Sequence, residues 1–547
     1  PPPPGPISAY ANGIFPSTTP GAGSSWKLEN PMPGFTIDAP LRIINFPNTE
    51  DILVLNKGGL VWQVSLADQT KDLVLDLSDR AFKLGEAGVT GIVLHPKFGL
   101  SDHPDKQEIF IFYRSKPEPD AWSEKGFNRL SKFKWDSNSE TFDRNTEEIL
   151  IQQYDRSTWH NGGGMFFDQE GFLYVSLGDE GMTEFQLVSS QRLDGGLFSG
   201  ILRIDIDNDP SRSHPIRRQP LANEAPPAEY AGWETFTQGY SIPNDNPWLS
   251  PDGTQLEEFY AIGIRSPYST TYDSETENIW IADVGSDIAE EVNKVVAGDN
   301  LQWPFKEGAT DRPQTPRPAN IIGEEKTPFF HYDRSVGNCI IGGGIYRGTV
   351  FPNLNGKYLF ADYAQDKIMV LSSTNSDRVA NHEVLISGLN DAELELPESP
   401  AITGVHIQSN GEILITVMGA DFSIPGKILR LTQNAFVADP PSYLSELGVF
   451  EDLNELIPVQ GFIPYRVNAP LWSDRAIKSR WLAVPNDGTY DTPEEQIEFV
   501  RNREWKFPSG TVFIKHFDLP MTTDPDGPTR KLETRFFIIG EDQVGYG

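Results

Sequence analysis

GFLYVSLGDEG (171–181) and GILRIDID (200–207) carry the pattern that decides the fold. Each holds a short apolar run of β-forming residues, and a Gly/Asp-rich break separates the runs, as expected of two strands and a turn. The unit recurs along the chain. EDILVLNKGGLVWQVSL (50–66) and QEIFIFYRS with RLSKFKWD (107–136) precede it. ENIWIADVGSDIAEEVNKV (277–295), GKYLFADYAQDKIMVL (356–371) and GEILITVMGADFSIPGKILRL (411–431) follow. Most of the six copies start roughly 55–65 residues apart.

Self-similar β units at such a period predict propeller blades, because radial closure hides strand edges and gathers the loops of one face around an axis. The competing readings are a pair of β-sandwiches or an irregular β-solenoid. Residues 208–258 and 301–338 interrupt the period; polar and rich in Pro, they read as long loops. The expected class is all-β, a six-bladed propeller over 31–435 followed by a smaller β-sandwich-like domain over 436–547. That second domain is expected from APLWSD (469–474), SRWLAVP (479–485) and REWKFPSGTVFIKHF (503–517), and is read as incomplete. Residues 1–30, which open PPPPGP, read as a Pro/Gly/Ser-rich tether.

The formal charge of −33 excludes a nucleic-acid partner, since phosphate binding needs a positive surface, and favours neutral small substrates. Cys339 is the single cysteine, so no disulfide forms within the chain, and no CxxCH for covalent haem occurs. No apolar run reaches the roughly 18 residues that cross a bilayer. The expected location is outside the cytoplasm, periplasmic or secreted, with the tether as a place for a lipid anchor.

The chemistry concentrates in STWHNGGGMFFDQEGFLYVSLGDEG (157–181). His160 precedes three glycines, and Asp179 follows one strand later in a Gly-Asp-Glu-Gly turn. In a propeller both reach one face, where an aspartate-oriented His serves as a general base. The pattern alone equally fits a His that caps a loop and an Asp that closes a turn. No HExxH or His/carboxylate pair signals a transition metal, DIDND (205–209) lacks the glycine and distal glutamate of an EF-hand, and no GxSxG elbow accompanies HNGGG.

HNGGGMFFDQEGFLYVSLGDEG, GIVLHPKF (91–98), AIGIRSPY (261–268), WIADVGSDIAEEVNKV (280–295) and GGGIYRG (342–348) resemble, in order, the signatures of the glucose/sorbosone dehydrogenase family. The likeness covers about residues 35–432. It implies a soluble six-bladed propeller holding pyrroloquinoline quinone (PQQ) and Ca²⁺ in the axial cleft, and oxidation of a sugar or related alcohol. It implies His160 as catalytic base, Asp179 as its orienting carboxylate and Arg265 as electrophilic support. It further implies Gly285 and Ser286 as carbonyl ligands of Ca²⁺, Glu86 lining the cleft, and Arg347 against a cofactor carboxylate. Trp159 stands where glucose-oxidising members carry Asp, Ser266 replaces an Asn, Ser286 a Pro, and PAITGVHI (400–407) has Ala401 and Thr403 where two arginines clamp the cofactor. These departures support a rival reading, a non-catalytic propeller that binds a glycan or protein partner in the same cleft. The tail is similar to β-domains that precede cytochrome c modules in multidomain envelope proteins, which implies an external or fused cytochrome c as electron acceptor.

Overall fold

The computed structural model describes residues 5–17, 26–115, 124–182, 189–374, 381–389, 391–421, 424–433, 441, 443–469, 471–501, 504–524, 526–541 and 545–547. The chain divides into two units, Trp26–Gln433 and Pro1–Ser25 with Asn434–Gly547.

Six sheets follow one another through the first unit, antiparallel except where the third adds the parallel edge strands Asp299–Asn300 and Glu324–Glu325. The first blade is Pro40–Asn45, Ile52–Asn56, Leu60–Ser65 and Thr70–Asp76; the second begins with Val89–Leu94, the third with Met165–Phe167 and the fourth with Ser269–Asp273. The fifth begins with Ile340–Ile345 and the sixth with Ala401–Ile407. Each repeat legible in the sequence is the second and third strand of one blade. The second strands lie between neighbouring blades and are covered on both faces, so Ile52–Asn56, Glu108–Ser115 and Leu173–Leu177 are buried at every position instead of alternating.

Closure is visible in the core. An apolar cluster fills every junction: Leu53 with Ile109, Phe112 with Val175, Tyr174 with Ile281, Trp280 with Tyr358, Leu359 with Ile415, and Ile428 with Val54. The last junction joins the sixth blade to the first, so the six sheets form a ring. Trp26–Glu29 supplies the outer strand of the sixth blade by pairing with Pro425–Gln433, which ties the two ends of the ring together.

Three expectations are corrected here. Residues 1–30 are not one tether: Trp26–Glu29 belongs to the propeller, while Ile7, Ala11 and Phe15 are buried in the second unit, where Ile7 bridges Asn486. Residues 1–4 and 18–25 lie outside the described part. The stretches 208–258 and 301–338 are not only loops. Phe236–Thr237 extends the second blade and Phe330–Asp333 completes the fourth. Their strands are too short to show a period. In the second unit, one five-stranded sheet built around Ile477–Ala483, Val512–Pro520 and Thr529–Ile539 packs on a small hairpin and the N-terminal segment, in place of a second full sheet.

Within the propeller the inner strands run away from one face. Loops 77–88, 156–164, 263–268 and 284–288 gather on that face, and the turns after Asp273 and Ile345 lie on the other.

Candidate active site

His160 stands on the loop that enters the third blade, held at φ +56°. Its N–H donates to Glu86 at 2.7 Å, and Gly178 packs so closely that a β-carbon there would stand 1.9 Å from the His160 carbonyl oxygen. That contact requires glycine. His160 Nδ1 lies 2.6 Å from Asp179 Oδ1. Trp303 Nε1 donates to Asp179 Oδ2 at 2.6 Å, and the Gly181 N–H donates to Oδ1 at 2.9 Å.

Burial pushes the Asp179 carboxyl up, but His160, its hydrogen bond and Arg265 outweigh this, and the group is held below its ordinary value. Asp179 is therefore ionised and accepts from Nδ1–H. The Nε2 lone pair is left as a proton acceptor, with no partner among the described residues. Arrangement and electrostatics together make His160 a competent base.

Arg265 adjoins this dyad. Its carbonyl accepts from the Asp179 N–H at 3.0 Å, its Nη1 donates to the Val284 carbonyl at 2.8 Å, and its guanidinium lies 5.5 Å from the Trp303 ring. No carboxylate pairs with it among the described residues, and Nε is buried without a partner. Asp283 accepts the backbone N–H groups of Arg265 and Ser266 at 2.9 and 2.6 Å. Burial pushes Asp283 up.

Val284 leads into Gly285 and Ser286. Glu307 accepts the N–H groups of Ser286, Ile288 and Ala289 at 2.7, 2.8 and 3.1 Å, and a β-carbon on Gly285 would stand 1.7 Å from the Ala289 carbonyl oxygen. The loop is thus fixed through its donors, while the Gly285 and Ser286 carbonyls have no N–H partner among the described residues. Such carbonyls suit a hard cation.

The structure brings His160, Asp179, Arg265, Glu86, Gly285 and Ser286 to one face. It does not bring Arg347 there. Arg347 follows Ile340–Ile345, an inner strand that runs away from the cleft, and binds Asp273 through Nε at 2.9 Å and Nη2 at 2.5 Å, with Glu275 at 3.0 Å. Asp273 ends Ser269–Asp273, about 13 Å of strand beyond the Arg265 end. The expectation that Arg347 contacts a cofactor in the cleft is corrected: it is neutralised at the opposite mouth.

Trp303, Lys57, Glu180 and Arg156 escaped the sequence reading. Trp303 anchors Asp179. Lys57 is buried with Nζ on the Gly85 carbonyl; burial pushes its ammonium down to about 7, with Glu86 pulling the other way. Glu180, next to Asp179, is fully buried and takes Arg156 through Nε at 3.0 Å and Nη2 at 2.5 Å. The GDEG turn signalled Glu180, but nothing near it signalled Arg156. Trp159 leaves its indole 44% exposed beside His160.

Comparisons with known proteins bear on the fold and the family. The chain is 25% identical to HIPL1 protein of Arabidopsis thaliana over 400 residues, 64% of this chain and 54% of that protein, so it spans about half the length of that relative. It is 24% identical to aldose sugar dehydrogenase YliI of Escherichia coli (strain K12), covering 63% of this chain and 80% of YliI. It is 22% identical to human Hedgehog-interacting protein over 57% of this chain and 39% of that one. Among solved structures, the fold is similar to the soluble aldose sugar dehydrogenase of Escherichia coli in its apo-form, with TM-score 0.53 and 18% identity over 75% of this chain and 99% of that one. It is also similar to the PQQ-bound form of aldose sugar dehydrogenase from Streptomyces coelicolor, with TM-score 0.50 and 16% identity over 76% of this chain and 100% of that one. Residues 37–225 and 235–393, most of the propeller, match one family throughout, and the chain belongs to the Glucose / Sorbosone dehydrogenase family.

Proposed function

We propose that this protein is a PQQ- and Ca²⁺-dependent dehydrogenase that oxidises the CH–OH group of an aldose or related alcohol. The observation that carries the reading is the buried His160–Asp179 pair, whose Nε2 has no partner among the described residues, set beside a guanidinium that forms no ion pair among them. The residues fit the cofactor: Arg265 offers positive charge, and the Gly285 and Ser286 carbonyls offer oxygen ligands to Ca²⁺. When bound, PQQ supplies the hydride acceptor.

His160 Nε2 takes the substrate hydroxyl proton as the adjoining carbon gives up its hydride. Asp179 holds the imidazole in the tautomer that can do so and stabilises the imidazolium that forms. Trp303 keeps Asp179 in place, and Arg265 stabilises negative charge developing at the acceptor. The proposed electron acceptor is an external or fused cytochrome c, and the proposed compartment is the periplasm or cell exterior. No helix among the described residues is long and apolar enough to cross a membrane.

The second reading, a non-catalytic propeller binding a glycan or protein in the same cleft, draws on the loss of Arg347 from the cleft and on the likeness to a protein named for binding Hedgehog. Titration of the purified protein with PQQ and Ca²⁺, followed by absorbance and calorimetry, separates the two. Saturable, Ca²⁺-dependent binding supports the dehydrogenase. No binding at micromolar PQQ leaves the second reading.

A further inference from the structure

Arg42 lies on Pro40–Asn45, the inner strand of the first blade, and no carboxylate pairs with it among the described residues. Its Nε donates to the Thr90 carbonyl at 3.2 Å, Nη2 to the Tyr268 carbonyl and Nη1 to the Leu41 carbonyl at 3.5 Å, and its guanidinium lies 4.0 Å from the Tyr268 ring centroid. Carbonyl dipoles and a ring face orient the cation without neutralising it. Other guanidiniums near the cleft are neutralised: Arg114 by Asp155, Arg156 by Glu180, Arg312 by Glu307 and Arg334 by Glu290. Only Arg265 shares the condition of Arg42 among these.

The surroundings of Arg42 are built for an acceptor. It lines an axial cavity of about 200 Å³ together with Gly163, Gly164, Ser269 and Thr270. The hydroxyls of Thr90, Ser269 and Thr270 are buried with no hydrogen-bond partner among the described residues. Buried hydroxyls without partners are rare; those of Ser269 and Thr270 belong to residues that line the cavity with Arg42, and they mark a place where a ligand oxygen or water belongs. A β-carbon on Gly163 would stand 2.3 Å from the Thr90 hydroxyl oxygen, so the glycine keeps this space open. The cavity lining begins three residues past His160, at Gly163, and four past Arg265, at Ser269. His406, on the other side of Arg42, is pushed down to about 3 by burial and by Arg42 itself, so it adds no charge.

We infer that Arg42, with the Thr90, Ser269 and Thr270 hydroxyls, is a carboxylate-binding site at the axial floor of the cleft, and that it holds one carboxylate of the planar polycarboxylate cofactor. The inference rests on the PQQ reading above. It also accounts for the sixth blade. Thr403, where a cofactor-clamping arginine is absent, donates to the Pro40 carbonyl at 2.6 Å, and its own carbonyl accepts from Tyr268 Oη at 3.1 Å. The neighbouring blade places its guanidinium on that same tyrosine, so the missing cation is replaced from the adjacent strand.

The test is calorimetric titration of wild type, Arg42→Met and Arg42→Lys with PQQ in excess Ca²⁺, alongside thermal unfolding of each unloaded protein. Charge-assisted hydrogen bonds to a carboxylate make the expected loss of affinity on the order of 10- to 100-fold for R42M, with a smaller loss for R42K, which keeps charge but not the fork. If R42M does not fold, a weakened but Ca²⁺-dependent R42K carries the expectation. Wild-type affinity in the folded variants overturns the inference and leaves the dehydrogenase reading standing. Absence of binding by wild type overturns both.

Discussion

Two arginines expected in the same cleft stand at opposite ends of the inner strands, under opposite conditions. Arg265 is held by a carbonyl and an indole face, and it forms no ion pair among the described residues. Arg347 is clamped between Asp273 and Glu275, and its charge is spent. A family motif supplies the residue type; the run of the strand and the nearest carboxylate decide whether that residue serves a ligand. The same comparison selects Arg42, which no motif marked.

The largest effect expected belongs to the base. His160→Ala should lower turnover on an aldose by about 10³-fold in steady-state assays with PQQ and Ca²⁺ saturating, within the range of general-base catalysis. A loss below tenfold would remove His160 from that role.

The two arginines should then separate. Arg265→Met should reduce turnover about 100-fold, as loss of one electrostatic support does. Arg347→Met should leave turnover unchanged and instead destabilise the fold by about 1–2 kcal/mol, because buried Asp273 keeps its charge while its partner is removed. Assay and denaturant melts of both variants check this; equal losses of activity would erase the distinction between the two mouths.

Trp303→Phe should cost about tenfold in turnover. It should also shift the acid limb of the pH–rate profile upward, since deleting a donor to ionised Asp179 raises that carboxyl. An unmoved profile would make Trp303 simple packing.

The smallest effect concerns Lys57. Its folded value, about 7, lies below the ordinary 10.5. Burial therefore costs stability fully below pH 7, and that cost fades as pH rises toward 10.5. The stability advantage of Lys57→Met should be greatest at neutral pH and shrink by at most about 1.4 kcal/mol per pH unit above it. A constant gap in melts between pH 7 and 10 would contradict the burial of a titrating ammonium.

Much of the propeller was legible because central blade strands are covered on both faces and read as unbroken apolar runs, as in EIFIFYRS and FLYVSL. The edges were not. Trp26–Glu29 and Phe330–Asp333 are four residues each, too few for periodicity, and their partners are distant in sequence. In the site, HNGGG and GDEG carried His160 and Asp179 because steric closeness at Gly178 ties both to a fixed local backbone. Trp303 lies 124 residues from Asp179 and Arg42 226 residues from Tyr268, contacts that only ring closure creates. Arg347 was misplaced because GGGIYRG records a strand but not the direction in which it leaves the cleft.

On the proposed function, His160, oriented by Asp179, drives sugar oxidation in this cleft. Single-turnover absorbance of the PQQ- and Ca²⁺-loaded protein mixed with a panel of aldoses, wild type against His160→Ala, tests it most directly. Reduction of the bound quinone by at least one aldose is expected in wild type, slowed about 10³-fold in the variant at equal loading. Loaded wild type that no aldose reduces, or reduction at the same rate in both proteins, would contradict it.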